Sequence, residues 1–148
     1  LSPWALKSQL VGRFAPENIP SLCVSIISFS FRQGIPREAD LVFDVRFLRN
    51  PHYIDELRTL TGHDPRVGNY VSKDPDFTEF MNKLESMMAL LLPRFKDEGK
   101  SYLTVAIGCT GGRHRSVFTA QRLYDALSAP DMQIQLYHRD IDQTSGVS

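Results

Sequence analysis

SYLTVAIGCTGGRHRSVFTAQRL, residues 101–123, joins a nearly continuous apolar run to an amphipathic segment through a glycine-rich turn. The run Ser101 to Cys109 has the pattern of a strand covered on both faces. From about Ser116 to Ser128, Val117, Ala120, Leu123, Tyr124 and Leu127 recur at helical spacing. Between them, Cys109-Thr110-Gly111-Gly112-Arg113-His114-Arg115-Ser116 reads as an anion-binding loop. Gly111 and Gly112 let the backbone turn its N–H groups inward. The following helix adds unpaired N–H groups and the positive end of its dipole. Thr110 and Ser116 offer hydroxyl donors, and Arg113, His114 and Arg115 offer charge. A plain Gly-Gly turn with solvated basic residues is the bland alternative. The G-x-x-x-x-G-K-[ST] spacing of a nucleotide-hydrolysing loop is absent.

Working outward, Ser21 to Phe31, Leu41 to Val45 and Gln133 to His138 read as strands. Phe77, Phe80, Met81, Leu84, Met87, Met88, Leu91 and Leu92 fall on one face of a helix. Asp74-Pro75 is its expected start, and Pro93 is expected to end or kink it. The two methionines in the stripe read as core filler. A shorter helix is expected over Tyr53 to Leu60, closing near Gly62. Another is expected after Ser2-Pro3, with Trp4, Leu6, Leu10, Val11 and Phe14 on one face. Strands alternating with helices imply an α/β fold: a single domain with a mostly parallel central sheet of about four strands flanked by helices. The expected boundaries are a linker helix over 1–20, the domain over 21–141 and a mobile tail over 142–148.

Bulk properties narrow the function classes. The 148 residues are 42% hydrophobic and 23% charged, with 17 basic and 17 acidic side chains and no net charge. That length suffices for one core, and the balance supplies no basic field for indiscriminate nucleic-acid binding. Cys23 and Cys109 lie in apolar runs and suggest no disulfide framework, which favours a reducing, cytoplasmic setting. No run has the length of a membrane span. The spacing of His52, His63, His114 and His138 matches no metal site, so neither metal nor cofactor is expected.

A second constellation lies at Asp44-Val45-Arg46-Phe47-Leu48-Arg49-Asn50-Pro51-His52. In a parallel sheet, Asp44 and Arg46 at a strand end can face the same cleft as the loop, with a carboxylate available to sugar hydroxyls or an ammonium. A structural Asp44–Arg46 ion pair and a loop histidine at 52 account equally well for the same residues. A catalytic alternative also exists. Cys109 and Arg115 are spaced C-x5-R, as in the phosphate loop of cysteine-dependent phosphatases, with Asp64 or Asp74 as candidate general acids. Gly108, where such loops carry histidine, counts against it.

VFDVRFLRNPHY (42–53), LTGHDPRVGNYV (60–71), SYLTVAIGCTGGRHRSVFTAQRL (101–123) and YHRDI (137–141) together resemble the C-terminal domain of the RapZ family, also called RNase adapter proteins. The likeness runs over roughly residues 22–141. It implies a non-catalytic domain that senses glucosamine-6-phosphate, forms homodimers within a larger oligomer and, in enterobacteria, presents small RNAs to RNase E. It also implies an upstream P-loop domain that these residues do not contain. Carried over by motif, the sugar-phosphate site comprises Asp44, Arg46, His52, Cys109, Thr110, Gly111, Gly112, His114, Arg115 and Ser116. Enterobacterial members end in a basic tail, whereas this chain reads Asp140-Ile141-Asp142-Gln143-Thr144-Ser145, a departure that bears on RNA binding.

Overall fold

The computed structural model describes residues 22–127 and 132–142. The expected linker helix over 1–20 and all but the first residue of the expected tail lie outside the described residues. The architecture is a four-stranded, all-parallel sheet flanked by helices, the α/β class expected. In chain order the elements are β1 (Leu22–Ser30), β2 (Leu41–Asp44), α1 (Asp55–Arg58), α2 (Pro65–Ser72), α3 (Phe77–Asp97), β3 (Tyr102–Cys109), α4 (Arg115–Ala126) and β4 (Met132–His138). Short 3-10 turns follow β1, at Phe31–Gln33, and precede α1, at Pro51–Tyr53.

The spatial order is β2-β3-β1-β4. β1 and β3 are therefore the inner strands, and every residue of β1 is buried. Register fixes which side chains share a face, because they alternate along each strand. Val24 pairs with Leu103 and Ile134, and Leu41 with Val105. Leu22, Val24 and Ile26 thus point the same way as Leu103, Val105, Ile107 and Cys109, and as Met132, Ile134 and Leu136. All of these join one apolar core with Val67 and Val71 of α2, the α3 stripe Phe77, Met81, Leu84, Met88 and Leu92, and Ala120 and Leu123 of α4. The long helix stripe thus packs as its period requires. Among the described residues, no helix is long and apolar enough to cross a membrane.

Four local expectations are corrected. The helix over Tyr53 to Leu60 contracts to the single turn Asp55–Arg58 behind the Pro51–Tyr53 turn. Helix α2 was not expected; Asp64 caps it, accepting from Arg66 N at 2.9 Å, with Pro65 at the first position. Asp74 does not start α3. Its carboxylate accepts from Arg49 N and Asp76 N, and the helix begins at Phe77. α3 also runs through Pro93 to Asp97. Ala89, whose carbonyl loses its helical donor, lies with Pro93 on the exposed side, where water can replace that bond.

Gly62 locks the α1–α2 corner to α4. Its N–H donates to Arg113 O at 2.8 Å, and a Cβ there would meet His114 O at 2.5 Å and Phe118 N at 2.6 Å. Backbone cannot yield as a flexible side chain can. Gly62→Ala is expected to lower stability by about 1–3 kcal/mol, read as a lower urea midpoint with an unchanged slope. A wild-type midpoint would show that the corner has slack.

Candidate functional site

All four strands are parallel, so their carboxyl ends meet at one rim. Ser30 is paired with Cys109, Asp44 with Gly108, and Ser28 with His138. The chain after β1, β2 and β4 and the loop between β3 and α4 consequently share that rim, the usual ligand side of an open α/β sheet.

The loop is built around Cys109, whose side chain has no exposed surface. Its Sγ accepts from Gly112 N at 3.3 Å and donates to Ser116 Oγ at 3.2 Å, tying both ends of the turn to one atom. Gly112 takes φ 73°, and a Cβ there would crowd Ser30 N and Asp140 Cβ at 2.9 and 3.0 Å, so glycine is required on two counts. Gly111 is not in the positive-φ region, so the left-handed step of the turn falls on Gly112 alone.

Arg115 brings the two sequence constellations together. Its guanidinium is buried at the start of α4, and Nη1 donates to Arg46 O at 2.5 Å and Leu48 O at 3.2 Å, while Nη2 reaches Thr110 Oγ1 at 3.4 Å. Burial pulls its pKa below the usual guanidinium value, opposed by Cys109, Tyr53 and Asp44. The turn after β2 is thereby fastened to the loop. Asp44 and Arg46 form the bidentate ion pair that the plainer reading anticipated, at 2.6 Å, each side chain about half exposed. The hydrogen bond from Arg46 holds the Asp44 carboxyl below its ordinary range, with Arg115 adding to the effect. The Arg46 guanidinium also lies 4.0 Å over the Phe31 ring. His52 sits in the Pro51–Tyr53 turn, half-buried, its ring against Tyr53 and its charge felt by His114.

Other expected members do something else. Arg113 donates to Thr59 O and Ile141 O, bracing the loop from outside. Asp64 accepts two bonds from the Arg66 side chain, which lower its pKa. Sequence reasoning passed over Ser30 and Asp140. Asp140 is buried; its carboxylate accepts from Ser30 N at 2.7 Å and from the Arg139 guanidinium, and its Cβ limits the space at Gly112. Ser30 Oγ donates to Thr110 O at 2.6 Å. Strand polarity was the available signal, since in an all-parallel sheet the last residue of every strand lies at the same edge.

His114, at the N-terminus of α4, is fully buried, and neither ring nitrogen has a hydrogen-bond partner. Burial pushes its pKa down to about 4; nearby carbonyls of Leu60 and Arg58 oppose this, and Arg113 and His52 reinforce it. The ring is thus neutral in the fold, while an unfolded histidine binds a proton near 6.5. The unfolded state gains protons first on acidification, so stability is lost as pH falls from about 6.5 towards 4. For His114 the loss should reach about 2 kcal/mol by pH 5. His138, also lowered to about 4 by burial and by His63, acts in the same direction. Urea unfolding at pH 7.5 and pH 5 should show a smaller loss for His114→Leu than for wild type; equal losses would exclude this origin.

With this geometry in hand, the RapZ C-terminal domain family model matches residues 22–142. A nucleotide-binding protein of Rhodospirillum rubrum is 51% identical over 144 residues, covering 97% of this chain and 45% of the relative. One from Rhodospirillum centenum is 53% identical over 143 residues, 97% of this chain and 43% of its own. One from Caldanaerobacter subterraneus is 50% identical over 139 residues, 93% and 49% respectively. The chain therefore spans less than half the length of these relatives. Its rim loop, core and strand order lie inside the matched region, and the chain belongs to the RapZ C-terminal domain family.

Proposed function

We propose that the rim site binds a phosphorylated amino sugar, with glucosamine-6-phosphate as the ligand, and that the domain is a non-catalytic regulator reporting occupancy to a partner. The observation that carries this reading is the Arg115 bridge, which sets the Cys109–Ser116 loop beside the half-exposed Asp44–Arg46 pair. The start of α4 and Thr110 suit a phosphate. Asp44, kept ionised by Arg46, suits an ammonium or sugar hydroxyls. His52, His114 and Ser116 would complete the pocket wall.

Phosphatase chemistry is disfavoured on two counts. The Cys109 thiol has no exposed surface from which to attack phosphorus. Of the two candidate acids, Asp64 is committed to capping α2 and to Arg66, and its lowered pKa keeps it ionised, while the Asp74 carboxylate accepts from Arg49 N and Asp76 N. Nucleotide hydrolysis is disfavoured by the absent phosphate-loop spacing. The partner is another regulatory protein or a second copy of the domain in a homodimer; the zero net charge of these 148 residues supplies no basic field for a direct contact with small RNA or for delivery of RNA to RNase E.

Isothermal titration of the 148-residue chain tests the ligand. Glucosamine-6-phosphate should release heat and saturate one site, with inorganic phosphate and glucosamine each weaker. Arg46→Ala, at an exposed position, should weaken binding about tenfold or more, the equivalent of roughly 1.4 kcal/mol. Absence of heat with glucosamine-6-phosphate, or equal affinity for inorganic phosphate, would defeat the sugar-phosphate reading. Steeply salt-dependent binding of a structured RNA would restore the RNA partner.

A further inference from the structure

Past the end of β4, a side chain takes over from the strand ladder. Arg139 N donates to Ser28 O at 3.0 Å, continuing the parallel pairing of β4 with β1. Ser30 N is the next β1 donor on that side. It donates at 2.7 Å to the Asp140 carboxylate rather than to a main-chain carbonyl. The Arg139 guanidinium donates to the same oxygen at 2.9 and 3.1 Å and lies 5.6 Å over the Phe29 ring. All three bonds converge on Oδ2 of the buried Asp140, which commits that oxygen to the protein rather than to a ligand.

Ser30 carries this restraint into the loop. Its hydroxyl donates to Thr110 O at 2.6 Å and accepts from Arg32 N at 3.1 Å. A trans peptide sets a carbonyl and the next N–H on opposite sides of one plane, and no described peptide bond is cis. With Thr110 O held on Ser30, the Gly111 N–H therefore faces away from Ser30. Gly111 is buried, and its N–H has no acceptor among the described residues. A buried donor left so is costly, and an oxyanion would satisfy it. The Cβ atoms of Asp140 and Ser30 each stand 3.0 Å from where a Cβ on Gly112 would lie, so the same pair also bounds the next residue of the turn. We propose that Asp140 is a positioning residue for the rim site: it fixes Ser30, whose hydroxyl sets the 110–111 peptide with its N–H turned to the bound anion. This rests on the reading of the loop as a phosphate site.

The test uses the 15N-labelled 148-residue chain, titrated with glucosamine-6-phosphate and followed by NMR and calorimetry. In wild type the Gly111 amide proton should move downfield as the ligand saturates. Asp140→Ala and Ser30→Ala should each weaken binding about fivefold or more and shrink that shift. Because both act through one peptide, the double variant should bind no worse than the weaker single. Asp140→Asn, which keeps an acceptor for Ser30 N, should recover most of the loss. If Asp140→Ala does not fold, Ser30→Ala removes the tie to Thr110 with a smaller lesion and decides alone. Folded variants that bind as tightly as wild type, even with a lower urea midpoint, would overturn the positioning role and leave the site reading intact. Additive losses would do the same, as would ligand binding to wild type that leaves the Gly111 amide unmoved. Absence of binding to wild type would remove both readings together.

Discussion

A buried guanidinium is costly unless its donors are met, and Arg115 offsets that cost through Nη1, which takes backbone carbonyls of a segment some 67 residues away in sequence. The turn after β2 is therefore held against the start of α4. Register already sets Asp44 beside Gly108, with Val45 N donating to Gly108 O at 2.9 Å, and Arg115 adds the tie from the carbonyls of Arg46 and Leu48 to the far end of the loop. Because the bonds to Arg46 and Leu48 are to neutral carbonyls, the positive field of Arg115 is not cancelled by them. It stays beside the loop, where Nη2 reaches Thr110 Oγ1.

The loop has the sequence outline of a nucleophilic phosphate site but uses its sulfur differently. Cys109 is a fastener: Gly112 N and Ser116 Oγ converge on it from opposite ends of the turn. A serine there would reach less far. The charge set read from the sequence is likewise divided in labour. Arg115 orders the interior, Arg113 braces the exterior through Thr59 and Ile141, and His114 stays neutral within the wall.

The periodic parts of this fold are legible in the amino-acid sequence. The apolar run ending at Cys109, the eight-residue stripe of α3 and the helix after Ser116 each repeat one signal many times. Single-residue signals were harder. Asp64-Pro65 and Asp74-Pro75 look alike in sequence, yet the first caps a helix while the second forms a turn holding Arg49 N. The difference lies in a tertiary contact, which local pattern does not encode. Asp44 and Arg46 were visible, but their pairing and the reach of Arg115 depend on register. Ser30 and Asp140 escaped notice because their importance comes from where strands end relative to one another.

Gly62 makes the α1–α2 corner touch α4 main chain to main chain, at His114 O and Phe118 N. Side chains in contact can absorb a small displacement by changing rotamer; two backbones cannot. In mechanical terms the joint is rigid, so any movement of the first turn of α4 carries the corner and the cap of α2 with it. Occupancy of the loop would then be legible on the far side of that joint, where His63 and Asn69 meet Phe118 and Arg122 in a groove of about 470 Å³, without a hinge between the two.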